Sequence, residues 1–244
     1  MKKAFKWIGI IVGILILLMA LVFFLFNEKK PTGVEGPEAE LLAEKVLRAI
    51  NKPAWDSTTY IHWTFKDMHT FLWDKKRHMT KVTWDDYEVL LDISSIGGLA
   101  KKGGKVLSAE EGEKTIRTAW EYWCNDSFWL NAPAKIMDNG TRRSIVEMEG
   151  KKGLMVTYDS GGVTPGDSYL WFFDENGLPT SYKMWAEIIP IGGVDFTWEK
   201  WETLDSGAKI STYHDGFLNL DISDLETGAH WNEMNLEEDP FAVL

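Results

Sequence analysis

"DSYLWFFDENGLPTSYKMWAE", residues 167–187, sets the folding problem. Two ring-rich runs flank Asp-Glu-Asn-Gly, and Asn176-Gly177 between alternating apolar residues is a hairpin signal. Alternation puts Tyr169, Trp171 and Phe173 on one face of a strand and Leu170 and Phe172 on the other. An ordinary antiparallel sheet leaves one face to water, but here both faces need cover. The same period of two recurs on either side. From Pro53 onward, Ile61, Trp63 and Phe65 alternate with Tyr60, His62 and Thr64. Further strands are predicted at 69–75, 79–84, 86–94, 143–149, 153–159, 167–174, 180–188, 195–203, 208–213 and 216–222. Residues 38–51 and 112–124 carry helical spacing, and "GGLAKKGG", residues 97–104, reads as a loop. In the 195–203 strand Trp198 and Trp201 are expected on opposite faces.

Strands that follow one another without crossover helices exclude a parallel α/β fold. The predicted fold is mainly β with a few helices: one antiparallel sheet large enough to curl, with helices covering its concave side. The stretch after Ser223 is acidic and is expected to pack loosely, with Phe241 and Leu244 as docking points.

Residues 7–26, "WIGIIVGILILLMALVFFLF", hold no charge. Such a run is long enough for a transmembrane helix and longer than the apolar core of a cleaved signal peptide. Lys2, Lys3 and Lys6 precede it, so the N-terminus is expected in the cytoplasm and the body on the extracytoplasmic, cell-envelope side. Phe5 and Trp7 suit one membrane interface. The resulting plan is a cytoplasmic end (1–6), an anchor (7–26), a linker (27–37) rich in Pro and Gly, a β domain (38–223) and an acidic tail (224–244).

The whole chain carries a net charge of −11, and residues 31–244 carry −15 because the first thirty residues are basic. That balance argues against nucleic acid as a partner. Cys124 is the only cysteine, so no internal disulfide can form.

Two motifs resemble bacterial envelope proteins of the LolA/LolB-like, outer-membrane lipoprotein-sorting fold, in an uncharacterised branch. One is "AWEYWCNDSFWLNAP", with Asn125, Asp126, Phe128, Trp129, Leu130 and Pro133. The other is "TPGDSYLWFFDENGLP", with Thr164, Pro165, Gly166, Asp167, Tyr169, Asp174, Gly177, Leu178 and Pro179. The resemblance spans about residues 38–222. It implies an incomplete antiparallel barrel over a hydrophobic cavity, with helices as a lid, and a part in handling lipid or lipoprotein. The expected anchor helix departs from that family, whose carrier is released and whose receptor is lipidated.

Little in the chain points to catalysis. His62, His69, His78, His214 and His230 are scattered without metal-ligand spacing, so no metal and no cofactor are expected. Cys124 lies among Trp120, Trp123 and Phe128 and reads as a buried thiol. The thirteen tryptophans are the unusual feature. They fit a packed core, the lining of an apolar cavity, or a row of rings for sugar stacking. The favoured reading is a membrane-anchored, non-enzymatic binding protein for a lipid, an acyl chain or a lipoprotein. Trp63, Phe65, Trp171, Phe173 and Trp198 are the candidate lining residues, and the bilayer is a partner through residues 7–26. The alternative is a carbohydrate-binding module or glycan-acting enzyme displayed on the membrane.

Overall fold

The computed structural model describes residues 2–160 and 165–244. Thr164 of the second motif lies outside the described residues, as do the side chains of Lys2, Lys3, Phe5 and Lys6. The first helix, α1, runs Lys2–Phe26. Among the described residues no helix is long and apolar enough to cross a membrane.

Helices α2 (Pro37–Ala49) and α3 (Lys52–Ser57) precede a meander of six strands: β1 (Tyr60–Phe65), β2 (His69–Asp74), β3 (Met79–Trp84), β4 (Tyr87–Asp92), β5 (Gly97–Lys102) and β6 (Lys105–Val106). Helix α4 (Ala109–Asn131) then leads to a second meander of β7 (Thr141–Met148), β8 (Lys151–Tyr158), β9 (Ser168–Phe173), β10 (Pro179–Trp185) and β11 (Val194–Thr197). The last three strands are β12 (Glu199–Thr203), β13 (Lys209–His214) and β14 (Leu220–Gly228).

The expected single curled sheet is corrected to two antiparallel sheets, neither closed into a barrel. One has nine strands in the order β12-β13-β14-β1-β2-β3-β4-β5-β6, and the other has five in the order β11-β10-β9-β8-β7. The division falls inside the predicted strand 195–203. Its first half, β11, pairs with β10, and its second half, β12, pairs with β13. Trp198 sits at the break, so alternation does not carry across it. Trp198 and Trp201 therefore share one core, with ring centroids 6.2 Å apart, instead of facing opposite ways. The sheets still meet at that corner through a bridge between Phe196 and Gly216.

Two other expectations change for local reasons. The predicted loop at 97–104 contains β5, which pairs with β4 along its length and turns Ala100 into the core. The helix predicted at 112–124 begins earlier because Ser108 caps it. The Ser108 hydroxyl accepts from the Glu111 amide at 3.4 Å and donates to the Glu111 carboxylate at 2.8 Å. The spacing is that of a capping box, with the Glu111 carboxylate bound to the Ser108 hydroxyl instead of the Ser108 backbone N–H.

Residues 167–187 form the β9–β10 hairpin. Asp174 organises the turn by accepting from the amides of Asn176 and Leu178 at 2.9 and 2.8 Å. Gly177 takes φ +91°, a left-handed conformation that favours glycine. Both faces of β9 find cover. Tyr169 and Trp171 enter the core shared by the two sheets, α2 and α4. Leu170 packs outward with Val146, Met155 and Phe172. Residues 27–35, expected as a linker, run over that outer side: Lys30 donates to Ser168 at 3.3 Å, and Val34 bridges Ile145.

The C-terminal segment also packs more closely than its composition suggests. β14 extends past Ser223 to Gly228, and its end pairs with the start of β1. Met234 and Phe241 then bury against Tyr60, Leu72 and Leu90, whereas Leu244 stays exposed. Arg77 holds the segment. Its guanidinium donates to both carboxylate oxygens of Asp239 at 2.7 and 2.8 Å, to Asp74 at 2.6 Å and to the Tyr60 hydroxyl at 2.9 Å. The bonds from Arg77 hold the Asp239 carboxyl below the usual carboxylate range. Removing the guanidinium leaves the buried Asp74 carboxylate the backbone N–H of residue 77, at 2.9 Å, but takes away its counter-charge. Arg77→Ala should cost about 2–4 kcal/mol in denaturant unfolding, the lower part of the range for a broken buried pair because Arg77 is partly exposed. Asp239→Asn should cost less than half of that.

Candidate functional site

The space between the sheets beneath α4 gathers most of the rings. Trp63 stacks on Phe71 with centroids 4.6 Å apart and meets Trp73 edge-on at 6.3 Å. Trp123 of α4 reaches Trp73 at 5.4 Å. Across the interior, Trp171 lies 4.9 Å from Tyr182 and 5.0 Å from Trp198. Trp129 of α4 touches Tyr182 and Phe196 at 5.7 and 4.8 Å. Among the five candidate lining residues, Trp63, Phe65, Trp171 and Trp198 are buried in this one core, and Phe173 is half-buried against it. Trp171 and Trp198 are brought into contact, whereas Trp63 stands with Phe71 and Trp73 of the other sheet. Rings buried this way cannot stack on a sugar from solvent.

The interior is apolar but not free of polar atoms. The indole N–H groups of Trp63, Trp73, Trp123, Trp171 and Trp198 are buried without a hydrogen-bond partner, as are the hydroxyls of Tyr158 and Tyr182 and the side-chain amide of Asn131. Burial pushes the Tyr158 and Tyr182 phenols well above their ordinary range, so both stay protonated. An indole can only donate, so five of these groups await an acceptor. Such a group left unpaired costs roughly 1–3 kcal/mol.

Two histidines on strands tie α4 to this interior. His69 of β2 lies 2.7 Å through Nδ1 from the buried Asp126 carboxylate and stacks on Tyr122 at 3.9 Å. His214 of β13 sets Nε2 at 3.0 Å from the Trp129 carbonyl and Nδ1 at 3.2 Å from the Thr197 carbonyl. Its ring lies 4.3 Å from Trp198. Burial lowers the His214 pKa to about 4 against the pull of the two carbonyls, which favour the cation. A neutral ring has one N–H and can donate to only one of them at a time.

His69, Asp126, His214 and Asn131 were not among the predicted site residues. His214 could have been found, because Ile210, Thr212 and His214 share the buried face of β13. The His69–Asp126 pair depends on where α4 crosses β2, which no local pattern encodes. His62 and His69, on neighbouring strands, do not converge: His62 points outward and meets the Asp224 carbonyl at 2.9 Å. Cys124, expected as a buried thiol, is half-buried, and its desolvation pushes the thiol up to about 12, away from the range of activated thiolates. No cluster of three or more potential metal ligands occurs among the described residues.

Two clefts of about 300 and 380 Å³ open on the outer side beside the C-terminal turn. The first is lined by His62, Thr70, Lys81 and Leu236, and the second by Glu202, Asp205, Glu226 and Glu233. None of the five candidate rings borders either cleft.

No family model and no curated protein matches the sequence. Among solved structures, the chain is similar to a DUF1329 family protein from Desulfovibrio piger ATCC 29098. The TM-score is 0.40 and the identity 10%, over 78% of this chain and 92% of that one. It is also similar to a candidate outer membrane lipoprotein-sorting protein domain from Vibrio parahaemolyticus. Here the TM-score is 0.38 and the identity 12%, over 82% of this chain and 97% of that one. Likenesses this distant carry no argument about function.

The His214 environment has a pH signature. Its folded-state pKa lies below the ordinary value of 6.5, so between about pH 6.5 and 4 the unfolded chain binds more protons. Stability from this residue is therefore complete above that window and is lost as pH falls through it. Denaturant unfolding across the window should show His214→Gln losing less stability on acidification than the parent chain. Equal slopes would show that His214 is not the source.

Proposed function

We propose that this chain is a membrane-anchored, extracytoplasmic, non-enzymatic binding protein for an apolar ligand: a lipid, an acyl chain or an acylated protein. The ligand is held between the sheets beneath α4. The observation that carries the reading is the set of buried, unpartnered indole and phenol groups concentrated among otherwise apolar rings. Ligand sites are mostly apolar with a few polar groups that fix orientation. An acyl chain would enter by parting these packed rings, and its ester, amide or carboxyl oxygen would give the donors an acceptor. Entry requires α4 to part from the sheets, where His69 and His214 hold it.

Anchoring is supported by the uncharged run of residues 7–26, whose twenty residues at about 1.5 Å each match the roughly 30 Å of bilayer hydrocarbon. Among the described side chains of α1, Leu17 is 72% and Phe24 84% exposed. Apolar surface on this scale calls for lipid or another apolar partner. The preceding lysines favour a cytoplasmic N-terminus and an exported body.

The test is to purify the full chain from membranes in mild detergent, extract it for mass spectrometry, and titrate a fluorescent fatty acid while following tryptophan emission. Co-purified lipid and saturable quenching are expected. Trp171→Phe and Trp198→Phe keep an apolar ring and remove a donor, so each should weaken binding roughly fivefold to a hundredfold, the worth of one hydrogen bond to a buried acceptor. A chain without lipid or saturable quenching that instead bound oligosaccharide saturably would establish the carbohydrate alternative.

A further inference from the structure

The segment that leaves α1 is hydrogen-bonded to one particular loop of the body. The Gly192 amide donates to the Asn27 side chain at 2.8 Å. The Glu28 amide donates to the Gly192 carbonyl at 2.9 Å. The Trp185 indole donates to the Glu28 carbonyl at 2.8 Å, and Lys183 reaches the Glu28 carboxylate at 2.7 Å. The two glycines make this approach possible. A Cβ on Gly192 would lie 2.3 Å from the Trp185 ring and 2.7 Å from the Glu28 carbonyl oxygen. Gly193 has φ +80°, and a Cβ there would lie 2.5 Å from Glu28. The body is therefore fixed to the end of α1 within two residues of Phe26.

The loop held in this way joins β10 to β11 and reads Glu187-Ile188-Ile189-Pro190-Ile191 before the glycines. Ile188 is 73% exposed, Pro190 is exposed, and Ile191 is half-buried. One isoleucine, Ile188, and Pro190 turn toward solvent, while Ile189 packs against the core. We propose that this loop rests in the interfacial zone of the bilayer that α1 enters, with Ile188 and Pro190 in the lipid headgroup and upper acyl region. The proposal rests on the anchor reading above. If Phe26 ends a spanning helix, residues bonded to positions 27 and 28 sit at the membrane surface by geometry alone. The chemistry suits that depth: an indole at residue 185 and the adjacent Lys29 and Lys30 match the aromatic and cationic groups that favour membrane interfaces. The loop thus gives the body a second contact with lipid and one fixed orientation.

The experiment places an environment-sensitive fluorophore at Ile188→Cys in the full chain carrying Cys124→Ser, reconstituted in lipid nanodiscs. A separate Phe24→Cys sample reports on α1. Both probes should lose most of their fluorescence when spin-labelled lipids are included, the residue-188 probe to labels near the headgroup and the residue-24 probe to labels on the acyl chain. Quenching at residue 24 without quenching at 188 would overturn the loop contact and leave the anchor standing. Quenching at neither would overturn both. Gly192→Ala, which drives a Cβ into Trp185 and Glu28, should abolish quenching at 188 while residue 24 stays quenched. Unchanged quenching at 188 in that variant would show that the clamp does not set the loop's position.

Discussion

Strand β9 is buried on both faces, and the arrangement of the body follows from that requirement. Tyr169 and Trp171 turn inward, where they need a second layer, which α4 and the nine-stranded sheet supply. Leu170 and Phe172 turn outward, where a thin cover is enough, and the chain supplies it from its own residues 27–35. A strand with Leu170 and Trp171 both fully buried cannot lie at a sheet edge, and β8 and β10 flank it on either side. The pairing of β14 with β1 completes the nine-stranded sheet by setting the last strand beside the first.

Helix α4 is attached differently from the strands. Its apolar residues pack on both sheets, but its polar attachments pass through two histidines bound to residues 126 and 129, less than one turn apart. Hydrophobic contact can slide over small distances, whereas a hydrogen bond to a buried carboxylate or carbonyl has one geometry. These two contacts therefore set where α4 lies over the rings. Through His214, whose ring burial holds neutral, the attachment is sensitive to protons in a way that aliphatic packing is not.

Much of this was legible in the sequence. Period-two alternation located the strands around Trp63 and Trp171, and the two-sided rings of β9 announced that both faces would be covered. The burial of Trp63, Phe65 and Trp171 follows from that pattern. Three features were not legible. The break at Trp198 is marked in the sequence only by a change of apolar phase, from Phe196 and Trp198 to Trp201 across Glu199-Lys200, and the pairing of β12 with β13 reveals it. Strand β5 was hidden because Gly97 and Gly98 usually mark loops, yet here Gly98 lets the Leu90 carbonyl pass close to the backbone. The C-terminal segment looked solvated because its acids are numerous, but one of them, Asp239, meets Arg77 across more than 160 residues of sequence. Long-range charge pairing leaves no local periodicity to read.

The five-stranded sheet carries residues 27–35 on one face and the ring-lined interior on the other. Residues 28, 30 and 34 touch β10, β9 and β7 in turn, while the inner faces of β9 and β10 present Trp171 and Tyr182. A sheet is a single layer, so the two faces are separated by one backbone. Close-packed interiors deform little and transmit displacement. Any rearrangement of Trp171 and Tyr182 that admits a ligand therefore bears directly on the strands that hold residues 27–35. The seating of residues 27–35 and the packing of the ring-lined interior are thus two properties of the same five strands.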